Sequence, residues 1–188
     1  MAKAKKRTDI KSAQSISPKE TTYRGITFHS RLEARWAIYL DHNPLVNDWA
    51  FEAQTIRDRK SGWTYTPDFI VKAGVVLQGA LEIKPVCPTQ DYIDQLVHWA
   101  PRIPGTQGMT LALCFGDFFK GEPLVFKLGP EGANREEILQ KAVPLSKVPI
   151  LGHQEALEKA GSYRFDLPDQ LPKFRNRRSK DWRKGGGK

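Results

Sequence analysis

Three side chains in the stretch YTPDFIVKAGVVLQGALEIKP, residues 65–85, have the types and spacing to act together: Asp68, Glu82 and Lys84. The stretch reads as two apolar strands joined by a turn at Ala73-Gly74. Alternation in ALEIKP puts Leu81 and Ile83 on one face and Glu82 and Lys84 on the other. A hairpin folds Asp68 back toward Glu82, because the turn lies about midway between them. Two converging carboxylates repel unless a cation sits between them. Mg²⁺ suits such a pair, since it takes one or two carboxylates and keeps several waters. The backbone carbonyl of Ile83 could add a ligand. Lys84 would then stand beside a metal-held water or a phosphate oxygen. These parts fit metal-assisted phosphodiester hydrolysis, with Lys84 orienting water or stabilising developing charge. A purely structural reading is also open: Asp68 capping a turn, and Glu82–Lys84 an exposed ion pair.

The elements that must position these groups are legible around them. SRLEARWAIYLDHN reads as a helix with Ser30 at its N-cap, ended by Asn43-Pro44. Ser30 and Glu33 have the spacing of a capping box. On a helical wheel Glu33 also falls between Trp36, Ala37 and Leu40, inside the apolar arc, with Arg31, Ala34 and Arg35 elsewhere. A carboxylate on the packing face is better explained if it faces a site. TYRGITFHS reads as a short hairpin turning at Gly25, VNDWAFEAQTIRD as a strand and RKSGW as a turn. Beyond Pro88, DYIDQLVHWAPR reads as a helix, MTLALCFGDFF as a buried strand and PLVFKLG as another strand. NREEILQKAV and GHQEALEKAGS read as helical, the second with a glycine C-cap. Helix, three strands, helix and strand give an α/β fold with a central sheet.

GITFHSRLEARWAIYLD, FEAQTI, YTPDF and LEIKP together resemble the PD-(D/E)XK nuclease superfamily, in particular its phage and transposon TnsA-like endonucleases. Pro67-Asp68, thirteen residues of spacer, then Glu82-x-Lys84 form the signature. The resemblance covers about residues 23–120. It implies a restriction-endonuclease-like core, a central mixed β-sheet flanked by helices. It carries Asp68 and Glu82 over as metal ligands and Lys84 as the catalytic lysine. The same resemblance implies that Glu33 is the helix carboxylate that completes the site. Gln54, on the adjoining strand, is a candidate neighbour of the site, as is Glu52 by alternation. The implied cofactor is Mg²⁺, with Mn²⁺ as substitute, and the implied partner is DNA. Nicking as a monomer and double-strand cutting as a homodimer are both open. A phage or mobile-element origin and the cytoplasm of a bacterial host follow from the same resemblance.

Charge points to the same partner. The chain has 188 residues and a net charge of +9. Residues 1–11 carry net +4, five basic residues against Asp9, and residues 173–188 carry net +7, eight against Asp181. The remainder is therefore −2. A near-neutral domain at 21–166 between basic arms at 1–20 and 167–188 suits a polyanion. Lys5, Lys6 and Arg7 of the first arm are candidate DNA contacts. So are Arg175, Arg177, Arg178, Lys180, Trp182 and Arg183 of the second, where aromatics interleave with arginines.

Other classes find little support. No run nears the ~18 apolar residues of a membrane helix, and the N-terminus has no apolar region of a secretory signal. Cys87 and Cys114 lack paired spacing, which fits core thiols in a reducing compartment. His29, His42, His98 and His153 show no zinc spacing, and there is no phosphate-binding glycine loop. Trp36, Trp49, Trp63 and Trp99 lie in or beside apolar segments and are expected in the core. An alternative from another class stays open: a non-catalytic nucleic-acid-binding component of a transposition, replication or packaging complex, or one active only with a partner protein.

Overall fold

Strand alternation divides the protein into two apolar layers. The computed structural model describes residues 18–73, 77–103, 111–119, 121–129, 131–149 and 151–166. In chain order these form β1 (Thr21–Tyr23), β2 (Ile26–Phe28), α1 (Arg31–His42), β3 (Val46–Phe51), β4 (Ile56–Arg57), β5 (Thr64–Tyr65), β6 (Phe69–Ala73) and β7 (Leu77–Lys84). There follow α2 (Gln90–Trp99), β8 (Leu111–Phe115), β9 (Leu124–Leu128), α3 (Arg135–Lys141), β10 (Val143–Pro144) and α4 (Gln154–Ser162). Six strands make a mixed sheet in the order β10-β9-β8-β7-β6-β3. The β7–β8 pair is parallel and the others are antiparallel. That one parallel pair requires a crossover, and α2 supplies it. The fold is thus α/β, a central mixed sheet flanked by helices, as expected.

One layer packs Phe69, Val71, Leu81 and Ile83 of the sheet with Trp36, Tyr39 and Leu40 of α1 and Leu157 of α4. The other packs Ile70, Ala80, Leu111 and Leu113 with Ile93, Leu96 and Trp99 of α2 and Ile138 of α3. Cys114 lies in the first layer and Cys87 in the second, both free and buried, so the two thiols do not meet. Among the described residues no helix is long and apolar enough to cross a membrane.

Several expectations are corrected. VNDWAFEAQTIRD is not one strand. Glu52 takes a left-handed backbone, φ 44°, which ends β3 at Phe51 and turns the chain out of the sheet. β4 then pairs with β5 in a separate two-stranded ribbon, so Gln54 and Glu52 lie in a connection and not on a strand. The helix at NREEILQKAV stops at Lys141, and Val143 joins β10. α4 runs through Gly161 to Ser162 with Tyr163 at its C-cap, so that glycine is not its cap. Trp63 is 63% exposed, whereas Trp36 and Trp99 are core and Trp49 is half-buried.

The wheel for α1 also fails. Every residue from Ala34 to Leu40 is buried, Arg35 included. The sheet covers one side of α1, and α4 and the β1–β2 hairpin cover others. A helix enclosed this way has no solvent stripe for a single apolar arc to oppose. Glu33 itself is half-buried, at the edge of the packing and not within it.

The basic arms, with Lys5, Lys6, Arg7, Arg175, Arg177, Arg178, Lys180, Trp182 and Arg183, lie outside the described residues, apart from Pro18 to Glu20. So does the turn at Gly74.

Candidate active site

The β6–β7 hairpin forms where the apolar alternation predicts it, with Phe69 opposite Leu81 and Ala73 opposite Leu77. Continuing that register by one residue sets Asp68 against Glu82. The carboxylate of Asp68 reaches across and accepts the Ile83 amide through Oδ2, at 2.6 Å. Ile83 therefore offers Asp68 its N–H. The end of β7 is fixed on its other side by the Gly116 amide, which donates to the Lys84 carbonyl at 3.2 Å. Gly116 has φ 108°, and a Cβ there would meet Pro123 Cα at 3.4 Å, so the turn after β8 favours glycine.

Glu82 is 3% exposed, and both of its oxygens are engaged. Tyr65 O–H donates to Oε2 at 2.7 Å, and Tyr92 O–H donates to Oε1. Lys84 Nζ lies 2.7 Å from the same Oε1 and 5.0 Å from the centre of the Tyr92 ring. The exposed Glu82–Lys84 ion pair of the purely structural reading is not what forms: the carboxylate is buried and the lysine only 28% exposed. Neither tyrosine stands out in the sequence. Tyr65 lies in YTPDF and Tyr92 near the start of α2, and only a polar-tipped aromatic at a sheet-facing helix position hints at the second.

The electrostatics follow from this crowding. Burial, and then the Glu82 charge, push the Asp68 carboxyl up to about 7, against the pull of Lys84 and the Ile83 amide. Burial acts to lower Lys84, but Glu82 and Asp68 hold it above its ordinary value. Burial and Glu82 push Tyr92 up to about 12, and they raise Tyr65 as well. Both phenols therefore remain hydrogen-bond donors at neutral pH.

Glu33 forms the expected box with Ser30. Ser30 Oγ accepts the Glu33 amide at 3.2 Å and donates to Glu33 Oε1 at 2.8 Å. Oε2 accepts the His29 amide at 2.9 Å, one residue before the N-cap. Glu33 also helps to raise Asp68 through its charge, so it belongs to the same electrostatic neighbourhood without touching the pair. His29 Nε2 lies 3.1 Å from Glu52 Oε1, and the Glu52 amide donates to the Asp68 carbonyl at 3.0 Å. Gln54 is half-buried in the connection after β3, and among the described residues no hydrogen bond ties it to the carboxylates.

The structure thus brings Asp68, Ile83, Glu82 and Lys84 together, with Glu33 nearby. Among the described residues no three His, Cys, Asp or Glu side chains converge as a metal cluster. Asp68 and Glu82 are hard oxygen donors of the kind Mg²⁺ takes, and a cation there would share Glu82 with the Tyr65, Tyr92 and Lys84 donors already on it. Comparisons of the chain with protein-family models, with curated proteins and with solved structures find no match.

Proposed function

We propose that this chain is a Mg²⁺-dependent DNA endonuclease of the PD-(D/E)XK type, hydrolysing phosphodiester bonds by nicking or double-strand cutting. The observation that carries the reading is the meeting of Asp68, Glu82 and Lys84 on one face at one end of the β6–β7 hairpin. The order α1, β3, β6, β7, α2, β8, with β7 and β8 parallel, supports a nuclease-like core. Asp68 and Glu82, with the Ile83 carbonyl, would hold the cation. When bound, Mg²⁺ supplies Lewis-acid polarisation of the phosphoryl group, and Mn²⁺ substitutes. Lys84 Nζ orients the attacking water or bears developing negative charge. Glu33 completes the acidic edge from the first turn of α1. The basic arms hold the DNA backbone, which makes affinity salt-dependent. Phage or mobile-element origin and a place in the bacterial cytoplasm belong to the same reading.

The test is plasmid cleavage by wild type and Glu82→Ala in Mg²⁺, Mn²⁺ and EDTA. Supercoiled DNA should become nicked or linear only with metal and intact Glu82. One observation favours a second reading, a partner-dependent or non-catalytic DNA-binding component. Tyr65, Tyr92 and Lys84 already occupy Glu82, so the site is held shut. Plasmid that is bound yet uncut in both metals would put that reading first.

A further inference from the structure

The β4–β5 ribbon carries the most exposed tryptophan among the described residues and three basic side chains, and the nuclease chemistry uses neither. Asp58 builds its turn. Asp58 Oδ1 accepts the Lys60 amide at 3.0 Å, Oδ2 accepts Ser61 Oγ at 2.9 Å, and the Asp58 carbonyl accepts the Gly62 amide at 2.8 Å. His98 Nε2 lies 3.3 Å from Asp58 Oδ2. The one acid of the ribbon is thus consumed inside it. Arg57, Arg59 and Lys60 are all exposed, and among the described residues none has an acidic partner. A turn that ties its own carboxylate into hydrogen bonds and leaves three cations outward, three against one for a net +2, fits a polyanion.

The tip is joined to the carboxylates by a run of rings. Trp63 meets His98 edge-on at 6.4 Å, and His98 meets Trp99 edge-on at 5.1 Å. Trp99 stacks on Tyr65 at 5.7 Å and 19°. Tyr65 O–H ends the run on Glu82. The inner rings are packed against one another, while Trp63 is 63% exposed. An indole held edge-on from behind presents a π-face to solvent. Stacking on such a face requires a base that has left its duplex, and it tolerates any base.

We propose that the β4–β5 ribbon is a single-strand docking element. Trp63 stacks on an unpaired base while Arg57, Arg59 and Lys60 hold the flanking phosphates. The preferred substrate is then DNA with a single-stranded segment beside the cutting position, not uninterrupted duplex. The inference rests on the nuclease reading for the identity of the polyanion as DNA.

Binding in EDTA separates docking from cleavage. The full chain would be titrated with a labelled single strand, its blunt duplex, and the same duplex with a single-stranded overhang. Wild type should bind the overhang duplex more tightly than the blunt one. Trp63→Ala should weaken overhang and single-strand binding about tenfold, the equivalent of ~1.4 kcal/mol and within the range for one stacked base. It should leave the blunt duplex unchanged, and Trp63→Phe should retain most of the affinity. Replacing both Arg59 and Lys60 with glutamine should flatten the single-strand salt dependence by about 1.4, at ~0.7 for each phosphate no longer neutralised. Equal binding of all three DNAs by wild type and Trp63→Ala overturns the proposal. So does displacement of the overhang duplex by polyglutamate as readily as by unlabelled single strand, which would mark a site for acidic protein. If Trp63→Ala loses the preference while Mg²⁺ brings no cleavage of any of the three, docking stands and the nuclease reading falls. If wild type cuts the blunt duplex as fast as the overhang one and Trp63→Ala changes nothing, the nuclease reading stands and docking falls.

Discussion

The two faces of the central sheet each bury charge, and they treat it in opposite ways. On the α1 face the charge is Arg35, 5% exposed. Its guanidinium donates to the carbonyls of Ala160, Gly161 and Tyr163 at the end of α4, and it lies 3.8 Å from the centre of the Phe119 ring. The hydrogen-bond partners are carbonyls, which neither carry a charge nor titrate, and the Asp117 charge acts on the guanidinium from further off. On the α2 face the charges are Glu82, Lys84 and Asp68, close enough that Asp68 and Lys84 are both raised. The first arrangement holds two helices together. The second concentrates repulsion that a better fold would avoid, which is where function is expected to displace stability.

Glu82→Ala should split the faces most sharply. Cleavage should fall by at least about 10³-fold, in line with the loss of a group that acts at the reacting centre. The melting temperature should fall by a smaller margin than cleavage, because Tyr65, Tyr92 and Lys84 lose their shared partner while Asp68 is relieved of a repulsion. A protein that unfolds on this change would place Glu82 in the scaffold. Parallel thermal melts and plasmid assays give the answer.

Arg35→Met is the converse. The methionine fills similar space but leaves the carbonyls at the end of α4 unpaired, at ~1–3 kcal/mol for each buried group. Stability should drop by about 3 kcal/mol in urea melts, while the cleavage rate per folded molecule is preserved. Lost cleavage at full stability would mean that Arg35 reaches the site.

Tyr92→Phe tests the α2 face more finely. The ring beneath Lys84 is kept and only the bond to Glu82 Oε1 is removed. Partners that orient metal ligands commonly contribute 10–100-fold in metal affinity or activity. The Mg²⁺ concentration for half-maximal cleavage should therefore rise about tenfold, with DNA binding in EDTA unchanged. An unchanged Mg²⁺ dependence would make Tyr92 a packing residue.

The difference between the faces also explains what could be read from the sequence. The β6–β7 hairpin and the Ser30 cap are local patterns, and local patterns survive without knowledge of the fold. Asp68, Glu82 and Lys84 were legible because a hairpin makes residues fourteen apart neighbours. Tyr65 and Tyr92 were not, since Tyr92 reaches Glu82 only after α2 has folded back over the sheet. Arg35 was misplaced because one apolar stripe was assumed for a helix that is covered on several sides. The break after Phe51 was missed because Glu52 adopts a left-handed turn without the glycine or asparagine that usually marks one. Trp63 looked like core because it lies beside an apolar segment, yet a ribbon of two-residue strands has too little width to cover its own tip.

The subtlest difference between the faces lies in pH. Asp68 binds its proton up to about pH 7 in the folded protein, against roughly 3.9 for an unperturbed carboxyl. Between those values the folded state holds a proton that the unfolded state has lost, so stability falls as pH rises through the window. It is fully present below the lower value and lost above the upper one. The hydrogen-bond partners of Arg35, being carbonyls, take no part in such a titration. A cation between Asp68 and Glu82 would relieve the repulsion only where Asp68 is ionised. Added Mg²⁺ should therefore raise the melting temperature by a few degrees at pH 8, by mass action on the folded state, and hardly at all at pH 5. Asp68→Asn should abolish that dependence on both pH and Mg²⁺. A Mg²⁺ effect of the same size at both pH values, or one that survives Asp68→Asn, would move the cation away from this pair of carboxylates and leave the α2 face with a charge cluster that only Lys84 and the two tyrosines offset.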